Sequence, residues 1–561
     1  MTTLLDLADI QGGILRAYGR QGFPKARAFF LTVRGDGKQG RAFVEALRPR
    51  VTTAARWHDP HRGEALLRTR APRVKDVARA ARQDDYPGAV TLRKPKVTLN
   101  LAFTFRGLLA LGVPVRTLRG MPDEFIDGMA QRAEILGDDR FLDRRDAVWR
   151  DSTGDTRVHI LVMLNAQMNR DGTPVAELED ETKALRDLCA ASGGEVVLLP
   201  GTGPDGADFQ EMSAVLRPGE DGPVPTNKEH FGLSDGFGDP VFEGQFPAGA
   251  ERLRVVGGGK LMPDRTWAPL ATGEFLLGYP DEAQEIPGAA MPIEFSRNGT
   301  FMAYRKLHEN VASFAAYIRD QGQAYAAIHG IPPAEAEATL RAKLVGRWED
   351  GIPLQAAPTH ADWQAFQAAL AEARAADDKP KLAALALRYT DFTYRDDLAG
   401  TTCPVAAHMR RANPRDMLDP HPKSGDGSAL VNRRRILRRG LPYGGPDQGG
   451  SGTDAGEQGI IFLALCANLF RQFEFVQQQW MQYGLDFNVG SDTCPVIGNH
   501  PPSRDLAQDA KLVIPVDPKG GRLPFLCGRI PQLVEPRGGD YFFVPSMTAL
   551  RLIGTGITDP T

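Results

Sequence analysis

Between positions 403 and 444 the chain concentrates residue types that bind anions and metals. Eight arginines (Arg410, Arg411, Arg415, Arg433, Arg434, Arg435, Arg438 and Arg439) accompany two histidines, His408 and His421. A solvated basic face would have this composition. So would a nucleic-acid surface, although no interleaved aromatics or RNA-binding motif support one. A third reading is a buried anion, because guanidinium groups make bidentate, charge-assisted bonds to carboxylates. Haem carries two such carboxylates as propionates, and a neutral imidazole on the same segment could ligate its iron. Composition alone does not choose among the three.

A second segment, Gly232-Leu233-Ser234-Asp235-Gly236, fits the G-x-S-x-G pattern of a nucleophile elbow. Ser234 would then be a hydrolase nucleophile with His408 as its base. The elbow needs a strand before it and a helix after it. The polar PVPTNKEHF precedes it and FGDP follows it, so both flanks fail. Other motifs fail sooner. Gly257-Gly258-Gly259-Lys260 has Arg254 where a phosphate loop needs its first glycine, and no hydroxyl residue follows the lysine. His308-Glu309 has Ala312 where a zinc-binding helix needs its second histidine. The five cysteines (Cys189, Cys403, Cys466, Cys494 and Cys527) are odd in number and widely scattered, unlike a disulfide framework, and with no C-x-x-C-H a covalently attached c-type haem is excluded.

These segments must be positioned by a globular scaffold. Short apolar runs at 28–33, 97–103, 158–164, 195–199, 274–279, 300–304, 460–465 and 541–544 read as buried strands. Helical patterns at 40–47, 174–191, 311–321, 333–348, 360–375 and 469–480 alternate with them, which argues for an α/β or α+β class. The 331–389 stretch is Ala-rich and reads as a helical insertion. Stretches 200–206, 217–226 and 444–456 read as linkers. With 561 residues, 42% hydrophobic and 24% charged, the chain is long enough for a large core. A net charge of −3 advertises neither nucleic acid nor an anionic membrane. No apolar run approaches a membrane span, and the N-terminus has no secretory pattern. The expected location is the cytoplasm.

The 403–444 segment resembles the haem-binding block of dye-decolorizing peroxidases, and GLSDGFGDP resembles that family's G-x-x-D-G motif. DIQGGILRAYG near the start, GTFMAYRKLHENV at 299–311, LVGRWEDGIPL at 344–354, FRQFEFVQQQW at 470–480 and YFFVPSM at 541–547 follow in the family's order. Leu233 stands where Phe is common, and 30 residues separate His408 from Arg438, a longer gap than expected, with the extra residues at about 418–431.

The resemblance implies an α+β fold of two ferredoxin-like halves with antiparallel sheets, related to the dimeric α+β barrel, with the helical insertion at about 331–389. The halves would span 1–220 and 221–561, with the haem in the second. It implies a peroxidase that reduces hydrogen peroxide and oxidises dyes, phenols or other organic reductants one electron at a time. His408 would be the iron ligand of one haem b per chain. Asp235 would take a proton from peroxide and return it to the departing oxygen. Arg438 would stabilise the developing negative charge, with Arg439 as the adjacent alternative. Arg415 would pair with a propionate, and Arg438 would also lie in the haem site. Substrates too bulky for the iron would donate through a surface Tyr or Trp. Trp480 is the least suited relay, because its helix pattern reads as core.

His421 competes with His408 for the iron. Prolines on both sides favour an extended surface loop there. His408 follows the small Val405-Ala406-Ala407, which can pack under a flat macrocycle, and stands seven residues before Arg415. The other readings are a serine hydrolase and a haem-binding protein without significant turnover.

Overall fold

The structure is a computed structural model and describes residues 5–58, 92–150, 156–201, 206–246, 251–252, 254–419, 427–445, 453–490, 492–500, 510–516 and 521–558. His421, and most of the 200–206 and 444–456 stretches, lie outside the described residues.

One ten-stranded sheet organises the molecule. Its first group of strands is β1 (Lys25–Val33), β2 (Val97–Phe103), β3 (Ile160–Ala166), β4 (Val196–Leu198) and β5 (Gln210–Ser213). The second is β6 (Thr300–Glu309), β7 (Leu437–Arg438), β8 (Leu441–Gly444), β9 (Gln458–Cys466) and β10 (Val534–Val544). The order across the sheet is β7-β9-β6-β10-β2-β3-β1-β4, with β8 on β9 and β5 on β1. Each pairing is antiparallel.

The first group carries helix α1 (Lys38–Leu47) between β1 and β2, and α2 (Glu177–Ala191) between β3 and β4. The second carries α3 (Val311–His329) after β6, and a helical segment at 469–481 between β9 and β10. In the first group β3 pairs with β1 and β2, and β4 pairs with β1; in the second β9 pairs with β6 and with β7 and β8, which share one strand position, and β10 pairs with β6. This is the β-α-β-β-α-β ferredoxin-like arrangement, present twice. The halves join where Phe543 of β10 faces Phe103 of β2.

The strands read as continuous apolar runs because both faces of the sheet are covered. In β1, Phe29, Leu31 and Val33 enter one core while Ala26, Ala28 and Phe30 enter the other. β6 divides likewise, with Phe301 and Ala303 on one face and Met302 and Tyr304 on the other. Full burial of such a side chain contributes about 1.5–3 kcal/mol, so a charge placed at either face would be costly.

The 274–279 run is the exception among the expected strands. It follows the 3-10 turn Thr272–Glu274 and folds back on itself. The Leu276 amide donates to Thr272 and the Gly273 amide to the Pro280 carbonyl. Leu276 and Leu277 are fully buried there. Apolar composition reported burial correctly, but Gly278 at φ +83° allows the chain to turn where a strand would run straight. The 217–226 stretch is a small hairpin that pairs Leu216–Arg217 with Val224–Pro225.

The insertion is helical: α4 (Pro333–Val345), α5 (His360–Ala375) and α6 (Lys379–Leu387). Proline at its start and Gly346 at φ +97° after its end bound α4. Thr359 and Asp362 form a capping box at the start of α5. Trp348 stacks on Trp363 with ring centroids 4.8 Å apart. Among the described residues no helix is long and apolar enough to cross a membrane.

Candidate active site

A cavity of about 260 Å³ lies between the second group of strands and the helices that cover it. Arg305, Leu307 and Glu309 of β6, Ile460 and Phe462 of β9 and Arg438 of β7 form its sheet wall. The alternation of β6 sends these odd-numbered side chains to one face.

Helix α7 (His408–Ala412) contributes His408, Met409 and Ala412 to another wall. The two arginines that follow His408 fasten this short helix. Both are fully buried. Arg410 bonds to the Asp397 carboxylate and to the Cys403 carbonyl. Arg411 donates to the carbonyls of Trp480, Tyr483 and Asp492. They are structural clamps, so part of the arginine-rich segment is neither a solvated face nor a ligand site. The 469–481 segment is helical as expected but takes wider π turns at Leu469–Glu474 and Val476–Met481. Val476, Gln477 and Met481 reach the cavity from it. Trp480 is 1% exposed and donates from Nε1 to Asp486.

His408 Nδ1 lies 3.3 Å from Sγ of the buried Cys494. With its proton on Nδ1 the ring donates to sulphur, and the Nε2 lone pair is left for a ligand. Nε2 makes no hydrogen bond among the described residues. A partner on the outer ring nitrogen is how proteins fix the orientation of a ligating histidine. Nothing in the sequence pointed to Cys494, which is 86 residues away.

Asp235 is presented by a tight turn. Lys228 bridges Ser234, the Asp235 amide donates to the Asn227 carbonyl at 2.8 Å, and Gly232 takes φ +85°. Arg438 Nη1 donates to Asp235 Oδ1 at 2.6 Å, while its Nη2 donates to the Phe237 carbonyl at 3.1 Å. The Gly236 amide also donates to Oδ1, whereas Oδ2 has no hydrogen bond among the described residues. The Asp235 side chain is 51% exposed, and it lines the cavity, so that exposure is to the cavity space. Burial works against ionisation, but Arg438, Arg20 and the Gly236 amide hold this carboxyl at about 2. Arg20 was not visible from the sequence. Gly236 at φ +98° makes room for it, since a Cβ there would meet its guanidinium.

The structure therefore brings Asp235 and Arg438 into contact across 203 residues, and places His408 on the same cavity. It separates Arg439, which bonds to Asp239 and to the Gly13 and Ile14 carbonyls. Ser234 lies beside Asp235, but its hydroxyl donates to the Glu349 carbonyl at 2.8 Å. No histidine contacts it among the described residues, and neither a strand nor a helix flanks it. The elbow reading is set aside.

Three more guanidiniums, Arg347, Arg415 and Arg435, line the cavity. All three are buried. Their hydrogen bonds go to carbonyls: Arg347 to Gly351 and Tyr389, Arg415 to Phe392, Arg435 to Gly238, Gly258 and Gly259. None forms an ion pair among the described residues, and Arg347 Nε has no partner. Burial lowers all three, aided by neighbouring Arg415 for Arg347 and Arg435, to about 10 for Arg347 and Arg415 and about 9 for Arg435. They remain cationic at neutral pH. Uncompensated buried charge of this kind is costly unless an anion neutralises it. Among the described residues no cluster of three or more His, Cys, Asp or Glu could cage a metal ion. A histidine with a free nitrogen, an apolar slot and surplus buried arginines fit a metal carried in a flat macrocycle with carboxylate arms. Those are the features of haem.

No protein-family model matches the chain. Curated relatives do. Peroxidase 2 of Mycetinis scorodonius is 26% identical over 472 residues, which cover 82% of this chain and 76% of that protein. The dye-decolorizing peroxidase AauDyP1 of Auricularia auricula-judae is 27% identical over 467 residues, covering 82% and 75%. The multifunctional dye peroxidase DyP2 of an Amycolatopsis strain is 30% identical over 334 residues, covering 58% and 60%. A solved dye-decolorizing peroxidase in complex with 2,6-dimethoxyphenol superposes with a TM-score of 0.64 at 24% identity, over 98% of this chain and 100% of that one. The doubled ferredoxin-like sheet, the cavity beside its second half and the relatives agree: over most of its length this chain is similar to dye-decolorizing peroxidases.

Proposed function

We propose that the chain is a haem-dependent peroxidase that reduces hydrogen peroxide and oxidises dyes, phenols or other organic reductants in one-electron steps. The observation that carries this reading is the ionised Asp235 clamped to Arg438 in the cavity where His408 offers a free nitrogen. One haem b per chain would be held by His408, with Arg415, Arg435 and Arg347 available to its propionates and Arg438 in the same site. When bound, haem supplies redox-active iron that is oxidised by peroxide and re-reduced by organic donors.

The chain's own residues handle the proton. Asp235 Oδ1 is occupied by Arg438 and Gly236, so Oδ2 is the atom that accepts a proton from peroxide. A carboxylate held at about 2 is ionised across the ordinary pH range and is ready as a base. The same oxygen then hands the proton to the departing oxygen, and water leaves. Arg438 is held by the Phe237 carbonyl as well as by Asp235. It therefore meets the developing negative charge without reorganising.

Peroxide-dependent bleaching of a dye and oxidation of a phenol by the haem-loaded chain test this directly. No turnover with a fully loaded chain would favour a haem carrier instead. Ser234→Ala separates the hydrolase reading. With its hydroxyl engaged by Glu349, its removal should leave peroxidase turnover within about twofold, the scale of a surface change. Labelling of Ser234 by a fluorophosphonate, with an esterase activity lost in Ser234→Ala, would overturn the assignment.

A further inference from the structure

The turn that carries Asp235 is built around a second pair of acids. Glu229 and Glu309 are 7% and 3% exposed and both line the cavity. Their carboxyl groups converge on adjoining backbone amides, Glu309 on His230 and Glu229 on Phe231 and Leu233, and the charge of Glu229 works against ionisation of Glu309. Two buried carboxyls this close, with no cation paired to either among the described residues, do not both ionise readily, so one proton is shared between them. Together the two side chains hold the backbone of the turn. Glu229 accepts the amides of Phe231 at 2.7 Å and Leu233 at 2.8 Å, and Glu309 accepts the amide of His230 at 3.1 Å. The turn closes with the Glu229 backbone amide donating to the Leu233 carbonyl at 3.0 Å. Asp235 follows two residues later.

Neither carboxyl has a lysine or arginine partner among the described residues. Around them stand Asp235 on the same turn, the His230 ring with Nε2 at 2.8 Å from the Tyr443 carbonyl, and the Tyr443 phenol on β8. Asp235 is anionic, and burial pushes the Tyr443 phenol far up, so neither neutralises a second negative charge. The charged groups on neighbouring strands are committed elsewhere. Glu535 of β10 meets Arg144 and Asn310, and the His308 ring bonds to the Asp454 carbonyl. Burial raises both carboxyls, and for Glu309 the Glu229 charge adds to it.

We propose that Glu229 and Glu309 are a positioning pair: one shared proton locks the 229–235 turn and so holds Asp235 against Arg438, and loss of that proton loosens the turn and slows peroxide reduction. This rests on Asp235 acting as the base. The pair titrates as a unit. Its folded-state affinity for the proton exceeds that of unfolded glutamate. Its stabilisation is therefore complete below the unfolded value and lost as pH rises through the folded one.

Glu309→Gln tests the idea, because the glutamine carbonyl can still accept the His230 amide and its N–H can donate to Glu229 at every pH. Thermal unfolding and the stopped-flow peroxide reaction of the full chain are followed between about pH 5 and pH 9. The wild type should lose both melting temperature and rate as pH rises past neutrality. In Glu309→Gln both falls should move up by at least about one pH unit, a tenfold difference in proton concentration. Glu309→Ala, which abandons the His230 amide, should melt lower and react more slowly at all pH values. Unchanged alkaline falls in Glu309→Gln would overturn the proposal. A shifted melting profile with an unshifted rate profile would overturn the positioning role. If instead Asp235→Asn reacts at the wild-type rate while Glu309→Gln still shifts the melting profile, the base assignment fails and the proton-holding pair stands.

Discussion

His408→Ala should purify with little haem, or with a Soret band altered by loss of its axial nitrogen. The prediction follows from the position of the ring at the start of α7, clamped from behind by Arg410 and Arg411 and steered by Cys494, with Nε2 unbonded. Among the described residues lining the cavity, His408 is the only histidine. The buried arginines can still attract the propionates, so weak, misligated binding is the expected residue of affinity. Since His421 lies outside the described residues, the comparison variant is His421→Ala, which should keep the wild-type spectrum. The reverse pattern would show that the iron is held by His421 instead.

Asp235→Asn and Arg438→Leu should keep haem and lose most of the peroxide reaction. Removing one preorganised charge-stabilising donor typically costs about 100- to 1000-fold in rate, and loss of a general acid–base about 100- to 10 000-fold. The two variants should differ in their pH dependence. In the wild type the rate should hold as pH falls until the carboxyl protonates near 2. Arg438→Leu removes the larger of the two guanidinium effects on that carboxyl, so its proton affinity rises and the acid limb moves to higher pH. Asp235→Asn has no such limb. Stopped-flow mixing of the haem-loaded variants with peroxide reads both effects. Wild-type rates in both variants would sink the assignment.

The sheet was legible because both of its faces are buried. Val97–Phe103 and the 460–465 run declare themselves by unbroken apolar composition, whereas 274–279 has the same composition and turns instead. Periodicity placed α5 at its observed bounds, but it could not show that 469–481 would wind in π turns. The site was legible only where its residues fall in contiguous motifs, as Asp235, His408, Arg415 and Arg438 do. Arg347 sat inside a recognised block without a reason to single it out, and Arg435 was one of a run of arginines. Arg20, Glu229, Glu309 and Cys494 matter through contacts between distant segments. In particular, the Glu229–Glu309 pair spans 80 positions and carries no local pattern. Arg410 and Arg411 show the converse, since their type and place suggested a ligand site and their bonds make them clamps.

The visible absorption spectrum of the purified full chain, titrated with haem, tests the central claim most directly. A Soret band that saturates at one haem per chain, and that is lost or altered in His408→Ala, is the predicted result. A chain that gains no Soret band at any haem concentration would contradict it.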